Sequence, residues 1–231
     1  MTENQTVQQK SVRRNRFAAA ACFAAAVVAA TVVGTQSASA DAAAHRTAAG
    51  ARPAAVAVAA PGLGSADLLQ SEDYARRGLK PVGATVTLTG RQALSACSGE
   101  ETMRDLTKGK AAAYASVTWT FATDGLLTES AASAPTKTAA ATWEKQLVSL
   151  VQDCQDEPAG HWYYGAAHTL TTPAGTARWY PAHNGDGTVS GGVAVLRSGT
   201  KVAVVELSGR PAYAPSSFAG IAGAALNRLS S

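Results

Sequence analysis

Two stretches of this sequence carry apolar residues at every third or fourth position, the spacing of an amphipathic helix. The first runs from about Thr136 to Cys154, and the second begins near Pro215, a residue that suits the first turn of a helix. The predicted buried stripes are Ala139, Trp143, Leu147, Leu150, Val151 and Cys154 in the first helix, and Phe218, Ile221, Ala222, Ala225, Leu226 and Leu229 in the second.

Capping signals predict two shorter helices. Ser71-Glu72-Asp73 opens the first, and Arg76-Arg77-Gly78 places cations in its last turn with a glycine beyond. Ser98 and Glu101 have the spacing of a capping box at the start of the second helix, which Gly109 ends.

Alternating apolar and polar residues between the helices predict strands with two different faces. Ala115, Val117, Trp119 and Phe121 point one way, and Tyr114, Ser116, Thr118 and Thr120 the other. Ser190-Gly191-Gly192 indicates a bend or bulge inside a strand. Turn residues predict three hairpins, which join 114–121 to 126–133 through Thr123-Asp124-Gly125, 168–172 to 177–180 through Pro173-Ala174-Gly175, and 192–196 to 202–207 through Ser198-Gly199.

Strands joined by such short turns are antiparallel, and helices occur at the start, middle and end of the chain. The predicted fold class is therefore α+β: a twisted antiparallel β-sheet with helices packed mainly on one face.

The first 40 residues have the parts of a cleavable export signal. Four Lys and Arg residues precede an uncharged run from 17 to 33, and Ala38-Ser39-Ala40 provides the small residues of a cleavage site. The run is mostly alanine and shorter than the roughly 20 apolar residues of a spanning helix, which favours cleavage over anchoring. Arg13-Arg14 leaves general and twin-arginine export both open.

Three parts are predicted along the chain. Residues 1–40 are the signal peptide, 41–64 are an Ala-, Pro- and Gly-rich flexible linker, and 65–231 form a single extracytoplasmic domain. The expected location is secreted or in the cell envelope, with no stable membrane span after cleavage near Ala40.

Charge and cysteine content limit the possible functions. Four of the 20 Lys and Arg residues and one of the 16 Asp and Glu residues lie in 1–40. Residues 41–231 therefore contain 16 basic and 15 acidic residues, a net charge of +1. A nearly neutral domain has no field that collects nucleic acid, so a nucleic-acid partner is not expected. Cleavage also removes Cys22, and the remaining pair, Cys97 and Cys154, is most simply one disulfide in an oxidising compartment.

The sequence carries no G-x-S-x-G, H-E-x-x-H, P-loop or dinucleotide-binding motif, so no catalytic residue and no cofactor are predicted. Histidines are the one metal hypothesis. With Ala174-Gly175 as the hairpin turn, His168 lies opposite Pro181, and His183 lies diagonally on the same face, with His161 as a third possible ligand. Two surface histidines are the alternative that stays open.

The densest aromatic patch suggests a ligand cleft, because aromatic rings give a large contact area and a polar handle. The alternative is that Trp162 and one tyrosine cap the core beside the disulfide. The candidate cleft residues are His161, Trp162, Tyr164, His168 and Trp179.

A family resemblance rests on three segments: Ala96-Cys97 before a helix and a strand pair, A-T-W-E-K-Q-L over 141–147 running to Cys154, and G-V-A-V-L-R-S-G over 192–199 leading into 202–205. This arrangement resembles the PknH-like extracellular sensor domain of actinobacteria, the outer part of a receptor serine/threonine kinase that also occurs as free exported proteins or lipoproteins. The resemblance covers most of 66–231. It implies a twisted antiparallel sheet with helices and an extracytoplasmic ligand-sensing cleft without known catalysis.

Two departures from the family argue against a signalling role. Kinase-linked members carry two disulfides, whereas this chain has cysteines for one, and it has no kinase. The main hypothesis is a secreted, non-enzymatic ligand-binding or sensor-like domain of the cell envelope. The alternatives are a small secreted enzyme or metalloprotein using His168 and His183, and an envelope protein–protein interaction module. The expected partner is an unknown small molecule or envelope protein.

Overall fold

The computed structural model describes residues 62–122, 125–209 and 215–231. The predicted signal peptide and most of the predicted linker lie outside the described residues. Leu63 is buried in the core, so packing begins two residues before the predicted domain start at Ser65. Over the described ranges, no helix combines the length and apolar character needed to cross a membrane.

An antiparallel sheet of eight strands and four helices make up the described part of the chain, which confirms the α+β prediction. The strand order is β1-β2-β3-β8-β7-β6-β4, and β5 also pairs with β6. The strands are β1 Pro81–Thr87, β2 Ala113–Phe121, β3 Leu126–Ser133, β4 Tyr163–Tyr164, β5 His168–Thr172, β6 Gly175–His183, β7 Val189–Ser198 and β8 Lys201–Ser208. The helices are α1 Ser71–Ala75, α2 Met103–Leu106, α3 Lys137–Gln152 and α4 Pro215–Leu229, and a 3₁₀ turn covers Ser65–Asp67.

Helices cover both faces of the sheet, so the prediction that they pack mainly on one face is wrong. Successive residues of a strand point to opposite faces. Ala194 and Leu196 of β7 accordingly pack in a core with α4, whereas Val193 and Val195 pack in a core with α3. We call these the α4 face and the α3 face. The continuous apolar run of β7 is typical of a strand buried on both sides.

The two long helices begin where the sequence predicts. Thr136 caps α3, its hydroxyl accepting the Ala139 N–H at 3.1 Å, and α4 starts at Pro215. The predicted capping box of α2 is wrong. Thr102 and Asp105 form it, while the Ser98 hydroxyl closes a turn by bonding Ser95.

The first and third hairpins pair as predicted, but the second has a different register. Its turn is Pro173-Ala174, which shifts the pairing by two residues and places His168 opposite Trp179. Pro181 does not end β6 but pairs with Gly192 of β7. The predicted bulge is confirmed, because Ala182 pairs with Gly191 and His183 with Val189, leaving Ser190 extra.

The predicted disulfide between Cys97 and Cys154 is present, with 5.9 Å between the Cα atoms. Cys97 lies in the segment between β1 and α2, and Cys154 follows the end of α3. The bond therefore fastens the end of α3 to a loop that itself rests on the sheet through the Ala96 N–H.

Candidate functional site

A groove of about 760 Å³ lies along α4, between the end of α1 and strand β5. Four of the α4 residues that line it are glycine or alanine. Leu170 and Thr172 of β5 form one wall. The other residues that line it are Asp73, Arg76, Arg77 and Arg228 as the charged wall, Ala219, Gly220, Gly223 and Ala224 as the floor, and Asn227 and Ser231 near the end of α4.

Arg77 is held flat against α4. Its guanidinium donates to the backbone carbonyls of Asp73 at 2.5 Å and Gly220 at 2.6 Å. A Cβ at position 220 would lie 2.9 Å from Arg77 Nε, so the glycine makes room for this side chain.

Arg228 and Arg76 meet at the carboxylate of Asp73. Arg228 Nε donates to Asp73 Oδ2 at 2.9 Å and Arg76 to Oδ1 at 3.0 Å, while Arg228 also pairs with Glu72. Burial raises the pKa of Asp73, but the Gln70 N–H and the Arg228 guanidinium outweigh it, and that pKa stays below its ordinary value. Asp73 is therefore ionised at neutral pH and holds both guanidinium groups.

The groove keeps an excess of hydrogen-bond donors. Its three guanidinium groups face the carboxylates of Asp73 and Glu72. A guanidinium has five N–H donors, and the contacts with described residues use two on Arg77, two on Arg228 and one on Arg76. This arrangement suits a carboxylate or phosphate group, which guanidinium forks bind in a bidentate manner.

A buried carboxyl lies elsewhere on the α4 face. Glu129 of β3 is fully buried and accepts the Leu69 N–H at 2.7 Å. Its Oε1 and the Tyr74 hydroxyl have no hydrogen-bond partner within the described ranges. Burial raises the pKa of Glu129 to about 8, so the group is mostly neutral at pH 7. Glu129 does not line the groove.

A second buried carboxyl, Glu206 of β8, lies on the α3 face and braces the disulfide. It accepts the Tyr164 hydroxyl at 2.5 Å and the Ala96 N–H at 2.9 Å, and Tyr164 N–H donates to the Cys154 carbonyl at 3.1 Å. Burial raises the pKa of Glu206. Since both oxygens are occupied, we assign Glu206 a structural role.

Four of the five predicted cleft residues are divided between the two faces of the sheet, and the fifth, His161, lies in the segment before β4. His168 stacks on Trp179 with ring centroids 4.2 Å apart, on the α4 face. Trp162 and Tyr164 meet edge to face at 4.7 Å on the α3 face, beside the disulfide. His161 is exposed, 3.8 Å from Glu157. No single cleft brings the five together, and Trp162 and Tyr164 occupy the core position of the alternative interpretation.

The histidines proposed to share a metal are also separated. His183 stacks on Tyr163 at 5.0 Å, and it follows Trp179, the residue opposite His168, by four positions along β6. Four residues of strand span roughly 13 Å, too far for one ion. Among the described residues, no group of three or more His, Cys, Asp or Glu side chains could hold a metal.

The sequence pattern does not predict the groove. In the sequence, Arg76 and Arg77 indicate only the end of α1. The available hint was Gly220 and Gly223, which lower helix propensity inside an otherwise strong helix and so indicate a close approach.

Comparison with known proteins identifies no family. No family model matches the sequence, and no curated protein matches it. Among solved structures, the extracellular domain of PknH from Mycobacterium tuberculosis is similar at a TM-score of 0.48 and 16% identity, over 71% of this chain and 93% of that chain. This is a distant structural similarity, and it adds no argument about activity.

Proposed function

We propose that this chain is an exported, non-enzymatic domain that binds a small anion with a carboxylate or phosphate group in the groove along α4. The observation that carries the proposal is the convergence of three guanidinium groups on a floor of small residues. Arginine fixed in advance by protein contacts loses little side-chain entropy on binding, which favours recognition of a carboxylate or phosphate.

The shape of the groove supports a ligand with an apolar part. Leu170 and the alanines of α4 offer apolar surface opposite the charged wall. A compact anion could place its acidic group at Arg76 and Arg228 and its carbon skeleton against Leu170. The groove is open, which suits reversible binding better than catalysis that requires water to be excluded.

Export is supported by two independent observations. The disulfide is typical of an oxidising compartment outside the cytoplasm, and residues 1–40 have the pattern of a signal peptide. A sensor-like role in the cell envelope and kinship with the PknH-like domains belong to the same proposal.

A thermal-shift experiment tests the proposed binding. We expect acetate, citrate, inorganic phosphate or pyrophosphate to raise the Tm of the chain, with about 1.4 kcal/mol of stabilisation when the ligand is roughly tenfold above its Kd. Arg76→Ala should reduce the shift in Tm, because it removes one of the guanidinium groups proposed to bind the anion. Arg76 is mostly exposed, so its loss spares the core.

Lys145→Ala is the matched control, because this exposed cation lies on α3, across the sheet from the groove. Equal shifts in both variants would indicate a general salt effect and contradict the proposal. Silence across the whole panel would contradict it as well.

A further inference from the structure

The exposed apolar side chains of the described residues are concentrated at one edge of the sheet. Val82 is 67% exposed, Val86 47% and Leu88 60%, all on β1 or directly after it. The fourth large exposed side chain, Leu126 of β3, lies on the other face of the sheet, because it pairs with Thr120, whereas Val86 pairs with Val117 of the α4-face core. Clustered apolar exposure of this kind marks an interaction surface more often than scattered single residues do.

Strand β1 is the first strand in the order of the sheet, so one row of its backbone N–H and C=O groups has no neighbouring strand among the described residues. Natural edge strands are usually protected by charges, proline or a bulge. Here Pro81 and a register shift protect only the beginning, and the segment from Gly83 to Thr89 carries neither charge nor proline.

A basic cluster lies at the other end of β1. Arg91, Arg104 and Lys108 line a depression of about 830 Å³, and none has a carboxylate within ion-pair distance among the described residues. Asp105 lies in the same depression but is bonded to Thr102. The Arg104 N–H donates to the Gly90 carbonyl at 2.9 Å, which fastens this cluster to the end of the strand.

We propose that the edge of β1 binds an extended segment of another protein as an added antiparallel strand. Backbone hydrogen bonds would supply affinity, and Val86 and Leu88 would contact alternate apolar side chains of the added strand. In antiparallel pairing, the N-terminal end of the added strand lies beside the basic cluster, so that end carries acidic residues. The partner is therefore a protein with an acidic stretch followed by a β-branched, uncharged stretch.

Charge argues against a second copy of this chain as the occupant. An antiparallel pair of β1 strands would bring Lys80, which precedes each β1, toward Arg91 of the other copy. Like charges at such a contact oppose association.

Two synthetic nonapeptides test the proposal against the full, disulfide-bonded chain. One has three acidic residues followed by alternating threonine and valine, and the other has lysines in place of the acids. By fluorescence anisotropy we expect the acidic peptide to bind about tenfold more tightly than the basic one, an advantage that added salt reduces. On binding, hydrogen exchange of the amides between 81 and 89 should slow.

Matched variants locate the contact. Val86→Lys should abolish binding by adding the charge that edge strands use to prevent pairing. Arg91→Glu with Lys108→Glu should reverse the preference, so that the basic peptide binds better. Lys145→Glu, at an exposed position of α3, should leave the affinity for both peptides unchanged. A reversed preference cannot arise from misfolding.

Three results would overturn the proposal. The first is no binding of either peptide up to about 1 mM, the range of the weakest specific complexes. The second is binding that Val86→Lys leaves intact. The third is an edge that is already occupied, shown by slow exchange of these amides in the free chain or by a dimer that Val86→Lys dissociates.

Discussion

At the scale of single residues, Glu129 is a carboxyl group that is completely buried in the core. It lies in the middle of β3, fully buried, with one backbone donor at 2.7 Å. An isolated carboxylate in such a place is costly, and the group avoids that cost by staying protonated. Its pKa of about 8 in the folded chain exceeds the ordinary value of 4.5.

This difference predicts how stability depends on pH. A group whose pKa is raised by folding contributes stability that is full below its unfolded pKa and is lost as pH rises through its folded pKa. The natural chain should lose stability from Glu129 as pH rises from about 4.5 to about 8. Glu129→Gln is always neutral, so the free energy of unfolding of this variant should rise relative to that of the natural chain over this range. Urea denaturation across this range measures it, and parallel pH curves would contradict the burial argument.

Glu206 differs from Glu129 because both of its carboxyl oxygens accept hydrogen bonds. Glu206→Leu leaves the Ala96 N–H and the Tyr164 hydroxyl without this partner, and we expect a loss of about 2 to 4 kcal/mol in unfolding free energy. Tyr164→Phe, which removes one of the two donors, should cost less. A double-mutant cycle in urea should give a coupling energy clearly different from zero, whereas strict additivity would refute the contact.

At the scale of elements, the disulfide holds the end of α3 to the loop before α2. The two cysteines are 57 residues apart, a closure that stabilises the fold by roughly 4 kcal/mol in the chain-entropy model. Cys97→Ala with Cys154→Ala should therefore lower the urea midpoint strongly. Reducing agent should do the same to the natural chain and nothing to the double variant. A midpoint unaffected by reduction would show that the packing of α3 alone suffices.

The bulge in β7 depends on one glycine. Gly191 has a φ of 145°, and a Cβ there would lie 1.9 Å from the Leu207 carbonyl oxygen. Gly187 also has positive φ, at 82°, but has open space around it. We expect Gly187→Ala to cost about 1 kcal/mol and Gly191→Ala at least twice as much, measured by thermal unfolding. Equal losses would mean that the backbone yields at the bulge.

The elements also show where sequence patterns suffice. The α3 and α4 stripes are long and periodic, and Leu147, Val151, Ile221 and Leu226 are buried as predicted. The predicted start of α2 is wrong because two possible capping pairs lie four residues apart, and local spacing does not choose between them. The predicted register of the second hairpin is wrong because Pro173-Ala174 and Ala174-Gly175 are both possible two-residue turns.

At the scale of the whole molecule, the site was not predictable because it forms from distant segments. The groove combines residues from α1, β5 and α4, whose contact depends on tertiary packing. The residues of the predicted aromatic cleft lie on different faces for a related reason. Tyr164 pairs with Ala182 of β6, and both pack on the α3 face together with Tyr180. Trp179, the neighbour of Tyr180 in β6, points to the α4 face. That strand pairing carries no local signal.

Titration of the arginine side chains by NMR tests the anion-binding groove most directly. With citrate or pyrophosphate added to the disulfide-bonded chain, the Nε–H resonances of Arg77 and Arg228 should shift together and saturate, as should the backbone amides of Gly220 and Gly223. Arg178, exposed on β6, should hardly move. Resonances of the groove that stay fixed, or that move no more than Arg178 under either anion, would contradict the account.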